Sequence, residues 1–243
     1  ARWLQPLFVA VRINITLKTL DVNEFYLTDE LVCGALRDML EQNSVLESLT
    51  LYSPESLDET SMISWRKTLP FIRDNERLKS LALSFDGDAL DPHVATLCFD
   101  TVAMLVDNTT LECLDIKSGG ISPGTYISVL ESLQPSTTLK TLRLSPVLAS
   151  MGLDEMSRVV SLLKKNYSLQ VLDDDASEHD RTGEAGTLLR LNQAGRRYLI
   201  EDAASNAKGV EVLVGVSDDL GCLFYHLLEN PTLCDIEHQR TSN

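Results

Sequence analysis

Along most of the chain, leucines and polar residues alternate in a phrase, Asn-x-x-Leu-x-x-Leu-x-(Leu/Val/Ile), that returns about every thirty positions. Asn14 leads Leu17, Leu20 and Val22, and Asn43 leads Leu46, Leu49 and Leu51. Asn75 leads Leu78, Leu81 and Leu83, and Asn108 leads Leu111, Leu114 and Ile116. A fifth copy keeps Leu139, Leu142 and Leu144 with Ser136 in the asparagine position, and a sixth, Asn166 with Leu169 and Leu172, runs into Asp173. The leading positions are 29, 32, 33, 28 and 30 residues apart, a period that belongs to a stacked repeat architecture.

Within each phrase the last apolar residues alternate with polar ones, as in Leu142-Arg143-Leu144, which predicts a short strand with one buried face. Between phrases the apolar spacing becomes helical, through Leu36, Met39 and Leu40, then Leu97, Val102 and Leu105, then Met156, Val159, Val160 and Leu163. Each unit is therefore one strand and one helix. The asparagine follows the helix, where a residue tolerant of the left-handed conformation is expected to end it and turn the chain into the strand. Parallel strands stack about 4.8 Å apart and helices at roughly 10 Å, so the stack must curve with its strands inside.

These phrases resemble the ribonuclease-inhibitor-like class of leucine-rich repeat proteins, over roughly residues 2 to 175. The resemblance implies an α/β leucine-rich repeat solenoid (a horseshoe), with parallel strands on the concave face, helices on the convex face and a helical C-terminal cap. That class places Asn or Cys three residues after the last strand leucine, forming a buried hydrogen-bond ladder. Here those positions are Phe25, Pro54, Asp86, Gly119 and Val147, so the expectation is that the ladder is largely missing. Two units are expected: a solenoid over 1–175, of about six repeats with the first incomplete, and a capping segment over 176–243. In the latter, Thr187 to Leu199 reads as a final helix ended by a turn, and Val210 to Leu228 as an apolar helical pair. The stretches Leu191–Leu199 and Asp218–Pro231 resemble the tails of algal leucine-rich repeat proteins. Trp3, Leu4, Leu7 and Val11 read as the helix of a repeat whose strand is absent, so the chain is expected to be a piece of a longer protein.

Composition narrows the function. Thirty-six acidic residues against 21 basic ones give a net charge of −15, which argues against nucleic acid or an anionic membrane as partner and suits a basic protein. No apolar run approaches the roughly 20 residues that span a bilayer. Cys33, Cys98, Cys113, Cys222 and Cys234 are odd in number and scattered, which predicts reduced thiols and an intracellular, cytoplasmic setting. Asn-x-Ser/Thr matches at Asn14, Asn108 and Asn166 fall on the repeat asparagines, so they are read as structural.

Residues alternating with the strand leucines should line the concave face. Of these, Tyr52 and Arg143 are the residue types that anchor interfaces, with Asp21, Asn23, Thr50, Asp115 and Lys117 setting the polarity around them. Cys222, His226, Cys234 and His238 share the spacing of metal ligands, but the helical pattern between them reads as packing and no metal is expected. Asp173-Asp174-Asp175, with Glu178 and Asp180, lacks the glycine and terminal glutamate of a calcium loop. No phosphate-cradling loop, nucleophile elbow or triad is present, so neither a cofactor nor an enzyme activity is expected. The function expected is a non-catalytic protein-interaction module or scaffold subunit. Two alternatives follow from the repeat class: an activator of a small GTPase, needing an Arg or Asn positioned at the nucleotide, and a ubiquitin-ligase substrate receptor, needing an adaptor-binding helix ahead of the repeats.

Overall fold

The computed structural model describes residues 3–54, 57–85, 92–105, 107–117, 121–144, 151–172, 183–196, 211–212, 214–216 and 218–229. Strand and helix alternate throughout. The strands are β1 (Thr19–Val22), β2 (Ser48–Ser53), β3 (Ser80–Phe85), β4 (Cys113–Lys117), β5 (Thr141–Leu144) and β6 (Val171–Leu172). The helices are α1 (Leu4–Arg12), α2 (Glu30–Gln42), α3 (Glu59–Arg73), α4 (Pro92–Leu105), α5 (Pro123–Ser132), α6 (Leu153–Lys165), α7 (Glu184–Gln193) and α8 (Leu220–Glu229).

The six strands form one parallel sheet in sequence order. Its register places equivalent phrase positions side by side. Leu20, Leu49, Leu81, Leu114, Leu142 and Leu172 form one buried row, and Val22, Leu51, Leu83, Ile116 and Leu144 the next. Each such side chain contributes roughly 1.5–3 kcal/mol by leaving water. Against these rows pack the helical stripes read from the sequence, with Leu36, Met39 and Leu40 from α2, Leu97 and Val102 from α4, and Val159 and Leu163 from α6 all buried in one continuous core. The unequal spacing of strands and helices leaves the sheet on the inner side of the arc.

Helix starts follow ordinary capping chemistry. Asp29 Oδ1 accepts the N–H groups of Leu31 and Val32 at 3.1 and 3.3 Å, Asp58 Oδ1 that of Ser61 at 2.7 Å, and Ser122 Oγ that of Thr125 at 3.1 Å. Helix ends differ from expectation. Asn43 and Asn166 lie in the extended region (φ −77°, ψ 123° and φ −99°, ψ 120°), not the left-handed one. The only non-glycine residue with positive φ among those described is Glu24, just after β1.

What the asparagines supply is a ladder. Asn43 Nδ2 donates to Val11 O at 2.7 Å and Asn14 O at 3.0 Å, and Asn75 Nδ2 to Leu40 O at 2.6 Å. Asn108 Nδ2 donates to Ile72 O and Arg73 O at 3.1 and 2.9 Å, and Asn166 Nδ2 to Leu133 O at 3.1 Å. Each Oδ1 meanwhile accepts the N–H groups two and three residues on, as Val45 and Leu46 on Asn43 at 2.9 and 2.7 Å. One side chain thus closes its own corner and satisfies the carbonyls at the previous helix end, groups that would otherwise be buried without partners.

This ladder runs at the corner before each strand and is distinct from the one expected to be largely missing after it, of whose positions Asp86, Gly119 and Val147 lie outside the described residues. At another of those positions, Phe25 is buried and meets Phe8 edge-on, with ring centroids 6.2 Å apart. Hydroxyls add a second line: Thr110 Oγ1 donates to Asn75 O, Thr138 Oγ1 to Asn108 O and Ser168 Oγ to Ser136 O, at 2.9, 3.2 and 3.0 Å. Asn108-x-Thr110 and Asn166-x-Ser168 are thus ladder positions, and both asparagines are buried.

The stack continues into the C-terminal helices. Leu188 of α7 belongs to the main core, and Asn192 takes the ladder role, donating to Asn166 O at 2.9 Å and Leu169 O at 2.7 Å. Gly195, at φ 98°, turns the chain after α7. Arg196 is buried beneath this end, its guanidinium 4.8 Å from the Tyr167 ring centroid and turned to the Leu163 and Lys164 carbonyls. A smaller cluster of Leu191, Val212, Val216 and Cys222 joins α7 to α8.

Candidate protein-binding face

The parallel register turns the strand-face residues into lateral rows. Thr19, Ser48, Ser80, Cys113, Thr141 and Val171 form the first, and Asp21, Thr50, Ala82, Asp115 and Arg143 the second. Tyr52, Ser84 and Lys117 begin a third. Six of the seven residues expected to line the face thus fall in two neighbouring rows. Asn23 does not: β1 ends at Val22, and Asn23 lies exposed in the following bend.

The two ends of this face differ in character. Asp21 is exposed and Thr50 and Tyr52 are half-buried at one end, while Arg143 is half-buried at the other. Between them Ala82 and Ser84 keep the surface low. Asp115 is shielded, with only 12% of its side chain accessible, and Lys117 Nζ stands 3.6 Å from its Oδ2, 71% accessible. Lys117 therefore presents the positive charge here while Asp115 holds it from beneath.

A charged strip borders these rows, one position before each strand, where Lys18, Glu47, Lys79, Glu112 and Lys140 succeed one another. Glu47 accepts from Lys18 at 2.7 Å and from Lys79 at 3.0 Å, and Glu112 from Lys140 at 2.8 Å. The hydrogen bond from Lys18, seconded by Lys79, holds the Glu47 carboxyl down at about 2, and the same bond raises Lys18 above its ordinary value. Each backbone carbonyl in this strip accepts two N–H groups from the next repeat, such as Glu47 and Ser48 on Lys18 O at 2.8 and 2.9 Å. The strip is internally paired, three lysines to two glutamates, and extends the sheet.

It escaped the sequence reading because its alternation runs across repeats, some thirty positions apart, and not along the chain. Ion pairs stitch the helical side too: Lys67 to Glu30, Arg66 to Asp100, Arg158 to Glu131 and Lys164 to Glu184, at 3.7, 2.6, 3.0 and 2.8 Å.

Of the cysteines, Cys33, Cys98 and Cys222 are buried and Cys113 is half-buried, and none of the four is joined in a disulfide. Burial pushes Cys33 and Cys98 up to about 12, so neither forms a thiolate near neutrality. Cys222 is raised by burial and partly offset by Arg190, whose Nε lies 3.3 Å from its sulfur. Cys234, His238 and the acidic run from Asp173 to Asp180 lie outside the described residues. No cluster of metal-ligating side chains occurs among the described residues, and none of their helices is long and apolar enough to cross a membrane.

Parallel strands in phrase register, a helix per repeat and a curved stack define a leucine-rich repeat solenoid, with strands on the concave face, helices on the convex face and helices at its C-terminal end. No protein-family model matches the chain and no curated protein matches it. Among solved structures it is similar to "Leiomodin-1 Actin-Binding Site 2 (ABS2)", at 17% identity and a TM-score of 0.43, with 82% of this chain and 95% of that one covered. So distant a likeness speaks to neither partner nor site.

Proposed function

We propose that the chain is a non-catalytic protein-interaction module that holds a protein partner on its concave face. The observation that supports this most is the lateral register: residues separated by some thirty positions in sequence meet as one polar surface, with Tyr52 on β2 and Arg143 on β5 to either side of Ala82 and Ser84 on β3 and Asp115 and Lys117 on β4. Aromatic and arginine side chains flanking a shallow surface are the residues on which interface energy concentrates. The charged strip beside it is largely paired within itself, which leaves residue-by-residue recognition to the rows.

The thirty-residue period and full helix per repeat support placement in the ribonuclease-inhibitor-like class. The wording of Leu191–Leu199 and Asp218–Pro231 supports kinship with algal proteins of that kind. Buried, unpaired thiols favour an intracellular setting, and the net charge of −15 favours a basic protein over nucleic acid. The test begins with capture of the intact protein's partner and its identification by mass spectrometry. Tyr52→Ala with Arg143→Ala should then weaken that complex at least about tenfold, or roughly 1.4 kcal/mol, with the unfolding midpoint unchanged. Unchanged affinity would move the site off this face.

A further inference from the structure

A second surface lies at the helix-to-strand edge of the repeats, outside the concave rows, where α2 and α3 both end. A groove of about 430 Å³ opens there between neighbouring helix termini, with Leu40, Pro70 and Phe71 as its apolar wall and Glu41, Glu76 and Arg77 among its charged residues. Phe71 is only half-buried: part of its ring packs on the core and part faces the groove.

Charge gives the groove a direction. Some carboxylates on the helical side, Glu30, Asp100, Glu131 and Glu184, are held by a cation from a neighbouring element. Asp74, which also lines the groove, is paired with Arg73 at 2.7 Å. Glu41 and Glu76 are exposed and enter no ion pair among the described residues. Both helices point their negative C-terminal ends toward the same opening. Arg77 is the single cation lining it, against three carboxylates.

We propose that this groove binds an arginine-bearing segment of a basic protein, with a guanidinium laid on the Phe71 ring and forked between Glu41 and Glu76. Arginine fits better than lysine because its planar, weakly hydrated head can stack on a ring and donate sideways to two carboxylates together. The partner's aliphatic neighbours then cover Leu40 and Pro70. This site is separate from the concave face, and either can exist without the other.

The test uses fluorescence anisotropy with two labelled peptides, Gly-Arg-Leu-Arg-Gly and its lysine counterpart, against the full chain. Glu41→Gln with Glu76→Gln should weaken the arginine peptide about tenfold, and Phe71→Leu several-fold at an unchanged unfolding midpoint. Removing two charges elsewhere, by Asp154→Asn with Glu211→Gln, should change affinity less than twofold, as should Tyr52→Ala with Arg143→Ala. The lysine peptide should bind more weakly than the arginine one. Equal losses from the groove and remote variants, equal affinity for the two peptides, or no saturable binding of either would overturn the proposal.

Discussion

Two polar sets recur in each repeat only a few residues apart, and they meet opposite fates. The asparagine at the helix-to-strand corner is buried and spent chiefly on backbone groups, from Asn43 through Asn75 and Asn108 to Asn166. The residues that face outward from the strands five to nine positions later vary from copy to copy. Where one residue type is kept at a fixed phrase position, its side chain is holding the stack together. Where identity changes along a lateral row, as in Asp21, Thr50, Ala82, Asp115 and Arg143, the stack tolerates change and a partner can be read.

The largest effect should come from breaking a corner. Asn108→Ala would leave the Ile72 and Arg73 carbonyls and the Thr110 and Leu111 N–H groups without their partner. Buried groups so orphaned cost about 1–3 kcal/mol each at the full penalty, and relaxation should bring the measured loss to about 3 kcal/mol in chemical denaturation. A loss below about 0.5 kcal/mol would mean that the ladder is decorative.

Next is the buried bridge from Trp65 Nε1 to Thr101 Oγ1, 2.9 Å long, which ties α3 to α4. Trp65→Phe removes the donor and part of the packing, for an expected 2 kcal/mol or about that. The same variant should leave the concave face and its binding unaltered.

The fifth corner offers the converse experiment. Ser136 is buried, and its hydroxyl has no hydrogen-bond partner among the described residues. It is also too short to reach back as Asn43 does. Ser136→Asn should complete the ladder and stabilise the protein by about 1 kcal/mol; destabilisation would show that this corner has a different shape from its neighbours.

The smallest effect belongs to the charged strip. Glu47 has a folded-state pKa of about 2 against an ordinary 4.5. Its pairs therefore favour the folded state fully above about pH 4.5, and that contribution falls away as pH drops toward 2. Glu47→Gln should be slightly less stable than the parent at pH 7, approach it as pH falls through about 2, and lie closer to it in high salt. A gap that does not shrink between pH 4.5 and pH 2 would assign Glu47 a role other than ion pairing.

The leucines could be read from the sequence because their partners repeat at the same phrase positions, so period alone placed Leu20, Leu49, Leu81, Leu114 and Leu142 in one buried row. The asparagines were legible as corners but not as a ladder. Local propensity sees a turn-tolerant residue, whereas the bond from Asn43 Nδ2 to Val11 O joins residues 32 positions apart. Asn23 was placed one step too far along its strand because alternation does not mark where β1 stops. For Asp115, alternation placed it on the strand face but carries no measure of depth, and only 12% of its side chain is accessible. The Lys-Glu strip becomes visible only when the copies are aligned in columns.

If the chain works as proposed, the concave rows, and not the convex helices, meet the partner. Site-specific photo-crosslinking tests it most directly, with a photoreactive residue placed in turn at Lys117 on the concave face and at Ser128 on α5, in extracts containing the native partner. A single covalent adduct from position 117 and none from position 128 is the predicted result. An adduct from 128 with none from 117 would contradict it.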